Sequence, residues 1–236
     1  IMPLPKITTP TYELELPSTG GAVKYRPFLV KEEKVLVIAL ESEDNKQITN
    51  AIKAVLKSCV LTKGIKVEQL PTFDIEYMFL QIRQKSVGET VDITITCPDD
   101  EETKVPVTIN LEDINVIKTE GHSETIMITD SIGLTMKHPT MKQIMSYDLA
   151  NMDGIESSFG IINDCLVNVF NQDEVWEDWS DKEVQDFIEQ MTTDQFVKVT
   201  NFFTTMPKLK HIVKVTNPNT GVESEVALEG MQSFLE

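Results

Sequence analysis

Tyr12-Glu13-Leu14-Glu15-Leu16 alternates apolar and polar side chains, and Ala22-Val23-Lys24-Tyr25-Arg26 alternates again after Ser18-Thr19-Gly20-Gly21. Period-two patterning across a Gly-Gly turn predicts a β-hairpin. Pro3, Pro5 and Pro10 stand before it and predict an extended arm over residues 2–10 that orders on a partner. From Val30 the period becomes helical. Apolar spacing predicts helices over 30–40, over 46–61 with Ile48, Ile52, Val55, Leu56 and Cys59 on one face, and over 73–84 with Ile75, Met78, Phe79 and Ile82. Three helices with short connections imply a small helical unit.

Alternation returns at Thr90–Thr96 and Lys104–Ile109, joined by Cys97-Pro98-Asp99-Asp100-Glu101-Glu102. Pro106 has no N–H to give a ladder, so its strand belongs at an edge or a bulge. Another pair, 124–129 and 132–137, turns across Asp130-Ser131. Helical spacing resumes over 140–150, 155–170, 180–191 and 193–204, with Ser180 and Glu183 at the separation of a capping box. Strands at 211–216 and 223–228 flank Asn217-Pro218-Asn219-Thr220-Gly221, a hairpin loop by composition.

The expected class is therefore α+β: an N-terminal hairpin and three-helix unit, a small central antiparallel β region, and a C-terminal helical bundle ending in a β-hairpin. The expected segments are 1–28 (arm and hairpin), 29–88 (helical unit), 89–138 (antiparallel β region) and 139–236 (helical region with terminal hairpin). No repeat at a period of roughly 20–50 residues stands out, which argues against a fibre or spike.

At 236 residues, with 41% hydrophobic and 25% charged positions, the chain suffices for a sizeable core without a disulfide or metal staple. Three widely spaced cysteines, Cys59, Cys97 and Cys165, do not make a disulfide framework and suit a reducing cytoplasm. No apolar run reaches the roughly 18 residues of a membrane span. The first residues also lack the basic-then-apolar pattern of a secretory signal. Charge narrows the partners further. Thirty-eight acids against 21 bases give a net −17, and only Arg26 and Arg83 are arginines. Such a surface repels phosphates, so neither nucleic acid nor an anionic membrane is an expected partner.

Catalytic patterns are missing. His122, His138 and His211 are never within four residues of one another, whereas a zinc site draws paired ligands from one rigid turn. The hairpin over 91–109 has the strand-Cys-Pro-turn-strand outline of half a zinc ribbon, but Cys97 stands alone there. G-x-S-x-G, H-E-x-x-H and P-loop motifs are all absent. The acidic run 99–102 lacks the alternating ligands and central glycine of an EF-hand and is expected to be a solvated hairpin tip. No catalytic residue, cofactor, metal or small-molecule substrate is therefore expected.

Three stretches suggest protein contacts instead. Lys24, Tyr25, Arg26 and Phe28 place one of the two arginines beside an exposed-side tyrosine, as at interface hot spots. The internal alternative pairs Arg26 with Glu32 or Glu33 and lets Phe28 cap the helical core. Residues 173–194 carry nine acids and one lysine around Trp176 and Trp179, either as a solvated connection or as an acidic, aromatic docking surface. Phe202 and Phe203 are adjacent, so one narrow helical stripe cannot bury both rings.

The segments 10–20, beginning Pro10-Thr11-Tyr12-Glu13-Leu14, and 24–34, beginning Lys24-Tyr25-Arg26-Pro27-Phe28, resemble the opening of baseplate hub proteins of T-even-type contractile-tailed phages. Leu70-Pro71-Thr72-Phe73-Asp74-Ile75-Glu76-Tyr77, Ile82-Arg83-Gln84-Lys85-Ser86-Val87-Gly88-Glu89, Phe187–Met191 and Phe202–Leu209 continue the resemblance along nearly the whole chain. Where that family carries paired cysteines at such hairpins, this sequence has Cys97 only, and no metal is carried over. The resemblance implies a non-enzymatic virion protein, either a hub subunit or a hub assembly factor. Its partners would be other baseplate and tail proteins, met in the host cytoplasm during assembly and in the tail baseplate of the virion. Two alternatives stay open: a transient tail assembly chaperone absent from the mature virion, and a small cytosolic hydrolase with dispersed carboxylates.

Overall fold

The computed structural model describes residues 7–146 and 155–234. Most of the predicted arm and the end of the predicted helix over 140–150 lie outside these residues. Two units emerge: one holds the chain up to Val67, Phe73–Ile117 and the chain from Lys208, the other holds Glu68–Thr72 and Lys118–Pro207.

In the first unit, β1 (Tyr12–Glu15) and β2 (Ala22–Tyr25) form the expected hairpin, with Leu14 opposite Val23. Its turn closes through the Gly20 N–H on the Leu16 carbonyl at 2.7 Å, and Gly20 takes φ 69°, which a side chain would disfavour. Helices α1 (Val30–Glu41), α2 (Asn45–Cys59) and α3 (Thr72–Val87) follow. Asp44 starts α2 by accepting the N–H groups of Lys46 and Gln47, which the first helical turn leaves unpaired. Helix α3 is the most deeply set, with Phe73, Ile75, Met78, Phe79, Leu80 and Ile82 all buried. Strands β3 (Thr90–Thr96) and β4 (Lys104–Asn110) pair in full register, with Pro106 opposite Thr94 on a two-stranded sheet whose strands are both edges. Strand β5 (Asn115–Ile117) had no sequence signal.

The second unit contains a four-stranded antiparallel sheet in the order β6 (Thr125–Met127), β7 (Gly133–Met136), β8 (Leu166–Phe170), β9 (Val175–Trp176). Helices α4 (Met141–Ser146), α5 (Ile155–Cys165), α6 (Asp181–Glu189) and α7 (Thr193–Thr205) accompany it. The predicted helix over 155–170 is corrected here. It ends at Cys165, and Leu166–Phe170 turns into a strand because Val169 pairs with Leu134 of β7. The β-branched Val167 and Val169 fit a pleated surface better than a helix. Leu134, Met136, Ile161, Ile162, Cys165, Val184, Ile188, Val199 and Phe202 form one core between sheet and helices. Ser180 and Glu183 make the predicted capping box, and Thr192 with Gln195 makes a second one for α7.

The chain returns to the first unit as β10 (Lys208–Thr216) and β11 (Glu223–Glu229), a hairpin whose β10 also pairs with β5. Leu209, Val213 and Val215 then join Leu80, Val91, Ile93, Ile95, Ile109, Leu111 and Phe234 in a single core. The class is α+β, as expected.

Candidate partner-binding surfaces

Strand β2 delivers Lys24–Phe28 to α1. Lys24 points outward, while its N–H donates to Thr62 Oγ1 at 2.7 Å. Tyr25 does not stand on an exposed side: it is 2% exposed, its ring centroid is 5.7 Å from that of Tyr12, and burial raises its hydroxyl pKa. The alternation of β2 decides this, because Val23 and Tyr25 share the inward face. Arg26 turns inward as well. Its Nη2 lies 3.0 Å from Glu32 Oε1 and its Nη1 donates to the Pro27 carbonyl at 2.8 Å. Burial alone would raise the Glu32 carboxyl, but the Arg26 hydrogen bond, the Leu29 N–H and the Arg26 charge hold it below its ordinary value. Phe28 is buried, and its N–H donates to Ser86 Oγ at 2.9 Å. The internal alternative is therefore the arrangement seen, and only Lys24 of this stretch offers an open side chain.

In the second unit, Trp176 is 43% exposed on the edge strand β9, beside Val175 at 60%. Trp179 packs partly buried against the core. Phe202 is core, and Phe203 meets it edge to face at 5.3 Å while staying partly buried. The adjacent rings are thus divided between the core interior and its margin.

The spacing of His122 and His138, sixteen residues apart, does not predict that they meet. Their Nε2 atoms are 3.1 Å apart, and both rings lie against Phe202 with centroids at 5.0 and 5.4 Å. The Thr205 hydroxyl donates to the Asn201 carbonyl at 2.7 Å, so His122 Nδ1 at 2.9 Å must be the donor to Thr205. His122 Nε2 is then an acceptor, and His138 Nε2–H donates to it. Burial lowers both imidazole pKa values; Lys118 opposes protonation too, whereas Glu124, 3.7 Å from His138 Nδ1, favours it.

The loop tips at 97–103 and 217–222, far apart in sequence, also meet. Asn217, 1% exposed, bonds Asp99 and Asp100, and Asn219 Nδ2 donates to Thr103 Oγ1 at 2.9 Å. The acidic tip is thus held by amides rather than simply solvated. Among the described residues no group of three or more His, Cys, Asp or Glu side chains is arranged to hold a metal ion. All three cysteines are buried and free, with burial pushing Cys59 up to about 11 and Cys165 to about 12. Neither is a thiolate nucleophile at neutral pH. No helix among the described residues is long and apolar enough to cross a membrane.

The family model described as T4 bacteriophage base plate protein matches residues 9–236. The chain belongs to that family. No curated protein matches it, and no solved structure does. As a phage base plate protein, the chain has its place in the base plate of a bacteriophage tail, among other tail proteins. The match spans both units.

Proposed function

We propose that this base plate protein is a non-enzymatic component of the central hub, a resident subunit or an assembly factor, working through protein–protein contacts. The observation that carries this reading is the family match over nearly the whole chain. Supporting it, the titratable groups that come together are engaged structurally: Arg26 with Glu32, His122 with His138 and Thr205, and Asp99 and Asp100 with Asn217. Exposed apolar side chains such as Val30, Ile38, Val175 and Trp176 offer surface for other chains. On this reading the protein meets its partners in the host cytoplasm during assembly, and Lys24 and Trp176 are its open contact residues.

Intact tails purified from infected cells provide the test, by quantitative mass spectrometry of this chain relative to known tail components. A fixed stoichiometric ratio identifies a resident hub subunit. Absence from finished tails, with tail formation failing when the gene is removed, identifies an assembly factor. Tails that form normally without it, and lack it, would overturn both.

A further inference from the structure

The two arginines of this acidic chain are in opposite situations. Arg26 is satisfied by Glu32 and a carbonyl. Arg83, on α3, has an Nη1 cut off from water with no hydrogen-bond partner, and burial alone depresses its pKa with no acid opposing it. A buried cationic nitrogen without a partner is costly, and native folds rarely leave one unanswered. Arg83 lines an apolar groove in the first unit. Phe28, Leu36, Ile52 and Phe79 form its floor, and Val37 at 47% and Val87 at 52% exposure form its rim. Its volume, about 150 Å³, is that of a cavity able to hold one benzene-sized group.

The outer side of α1 continues the same apolar surface. Val30, Val37 and Ile38 are all exposed, at spacings that place Val30 and Val37 on one side of the helix two turns apart. The groove thus has apolar walls, an open mouth and one guanidinium nitrogen without a partner. Glu33 also lines it and makes an approaching anion depend on Arg83 for its place.

We infer that the α1–α3 groove is a docking site for a segment of another protein that inserts one apolar anchor, Leu, Ile or Phe, and sets a neighbouring carboxylate on the Arg83 guanidinium. Arg83 is only partly buried, so its long side chain can swing the guanidinium toward the mouth as the anchor fills the floor. Pairing converts an orphaned charge into a charge-assisted hydrogen bond in a desolvated place, the setting of interface hot spots. This surface adds to the hub reading and does not depend on it, since its chemistry is read with the isolated chain.

The test is a selection of displayed 12-residue peptides against the full chain, followed by affinity measurement with synthetic peptides. Enriched peptides should carry an apolar anchor with Asp or Glu within four residues. Their affinity should fall at least tenfold when that acid becomes its amide, at least tenfold on Arg83→Gln, and to background on Val37→Glu. The melting temperature of Arg83→Gln in the free protein should be unchanged or higher, because an unpaired charge is being removed. A marked loss of melting temperature would show that Arg83 serves the fold, and Arg83→Gln binding as tightly as the wild type would sink the carboxylate. Failure to enrich any peptide that Val37→Glu blocks, or a dimer in sedimentation that Val37→Glu dissolves, would equally overturn the proposal, the latter in favour of a second copy of this chain.

Discussion

The side-chain amide of Asn217 donates to both carboxylate oxygens of Asp99, at 3.0 and 3.1 Å, and to Asp100 Oδ2 at 2.9 Å. One buried amide therefore ties the tip of the β10–β11 hairpin to the tip of the β3–β4 hairpin. Thr220 Oγ1 adds a bond to Asp99 at 2.6 Å.

Asn217→Ala removes the donors and leaves Asp99 and Asp100 facing each other. Denaturant unfolding should show a lower midpoint, because the buried amide that ties the two tips together is lost. Asp100 is held well below the ordinary carboxylate range, first by the Thr103 hydroxyl and N–H, then by Asn217; Asp99 is held low by Thr220 and Asn217. Depressed native values make the stabilisation present above the ordinary Asp pKa and lost as pH falls below it. The wild type should therefore lose more stability on acidification than Asn217→Ala. Equal losses would dismiss the clasp.

Helix α3 carries acids of the opposite kind. Asp74 is fully buried against Ser18, and burial raises it despite the Ser18 hydroxyl and N–H. Burial lifts Glu76 to about 7, with only the Met231 N–H at 3.3 Å opposing. A raised carboxylate favours the fold below its unfolded value of 4.5 and loses that support as pH climbs through 7. Glu76→Gln should then remove pH-dependence worth at most about 3 kcal/mol and stabilise the protein at pH 8 relative to wild type. Thermal melts at pH 5 and pH 8 decide it.

The histidine pair works in the other direction. Lowered imidazole values mean that the native state binds fewer protons than the unfolded chain near pH 6. Stability is present above about 6.5 and is lost as pH falls below it. His138 can take a proton at Nδ1 toward Glu124, but His122 cannot be protonated without losing its bond from His138. Both tryptophans, Trp176 and Trp179, lie in the second unit, so tryptophan fluorescence reports on that unit. Its melting midpoint should drop from pH 7.5 to pH 5.5, and His122→Gln should flatten the drop. A midpoint that rises on acidification would exclude the mechanism.

Gly133 on β7 leaves no room for a side chain. A methyl group there would run into the Phe170 ring and stand 2.8 Å from Met127 Sδ. Gly133→Ala should cost about 1–3 kcal/mol by overpacking, whereas Gly64→Ala, which meets no neighbour, should cost less despite its φ of 89°. Comparable losses for the two would show that Phe170 moves aside.

Local chemistry was readable in the sequence and distant pairing was not. The β1–β2 hairpin, α1 to α3, β3–β4, β10–β11 and the Ser180 cap announce themselves within a dozen residues each, because period and turn chemistry are local properties. The break at Cys165 is not local. Leu166–Phe170 has an apolar content that suits either element, and its partner β7 decides the outcome. The Asn217–Asp99 clasp and the His122–His138 contact likewise depend on which loops the sheets bring together. The inward turn of Tyr25 was present in the alternation of β2, but sheet register alone selects which face is buried. Arg83 differs from Arg26 only in its neighbours: Arg26 is paired with Glu32 six residues away, whereas the acid on the Arg83 face of α3, Glu76, stands two turns away and accepts from the Met231 N–H.

Arg26 and Glu32 allow the two roles first open to that arginine to be separated. Their side chains are 14% and 6% exposed, so the pair is largely desolvated. Removing one partner leaves the other charge buried, which costs about 3–5 kcal/mol in comparable sites. Here Lys31, 3.3 Å from the same oxygen, and the Leu29 N–H on Oε2 soften the loss of Arg26, placing Arg26→Ala near the lower end. Glu32→Ala has no such substitute, since Arg26 would keep only the Pro27 carbonyl and the Cys59 Sγ at 3.7 Å. The double variant should therefore lose less than the sum of the two single losses, and a double-mutant cycle on the isolated chain measures that coupling. Additive losses near zero, together with weakened incorporation into tails, would instead assign the guanidinium to a partner.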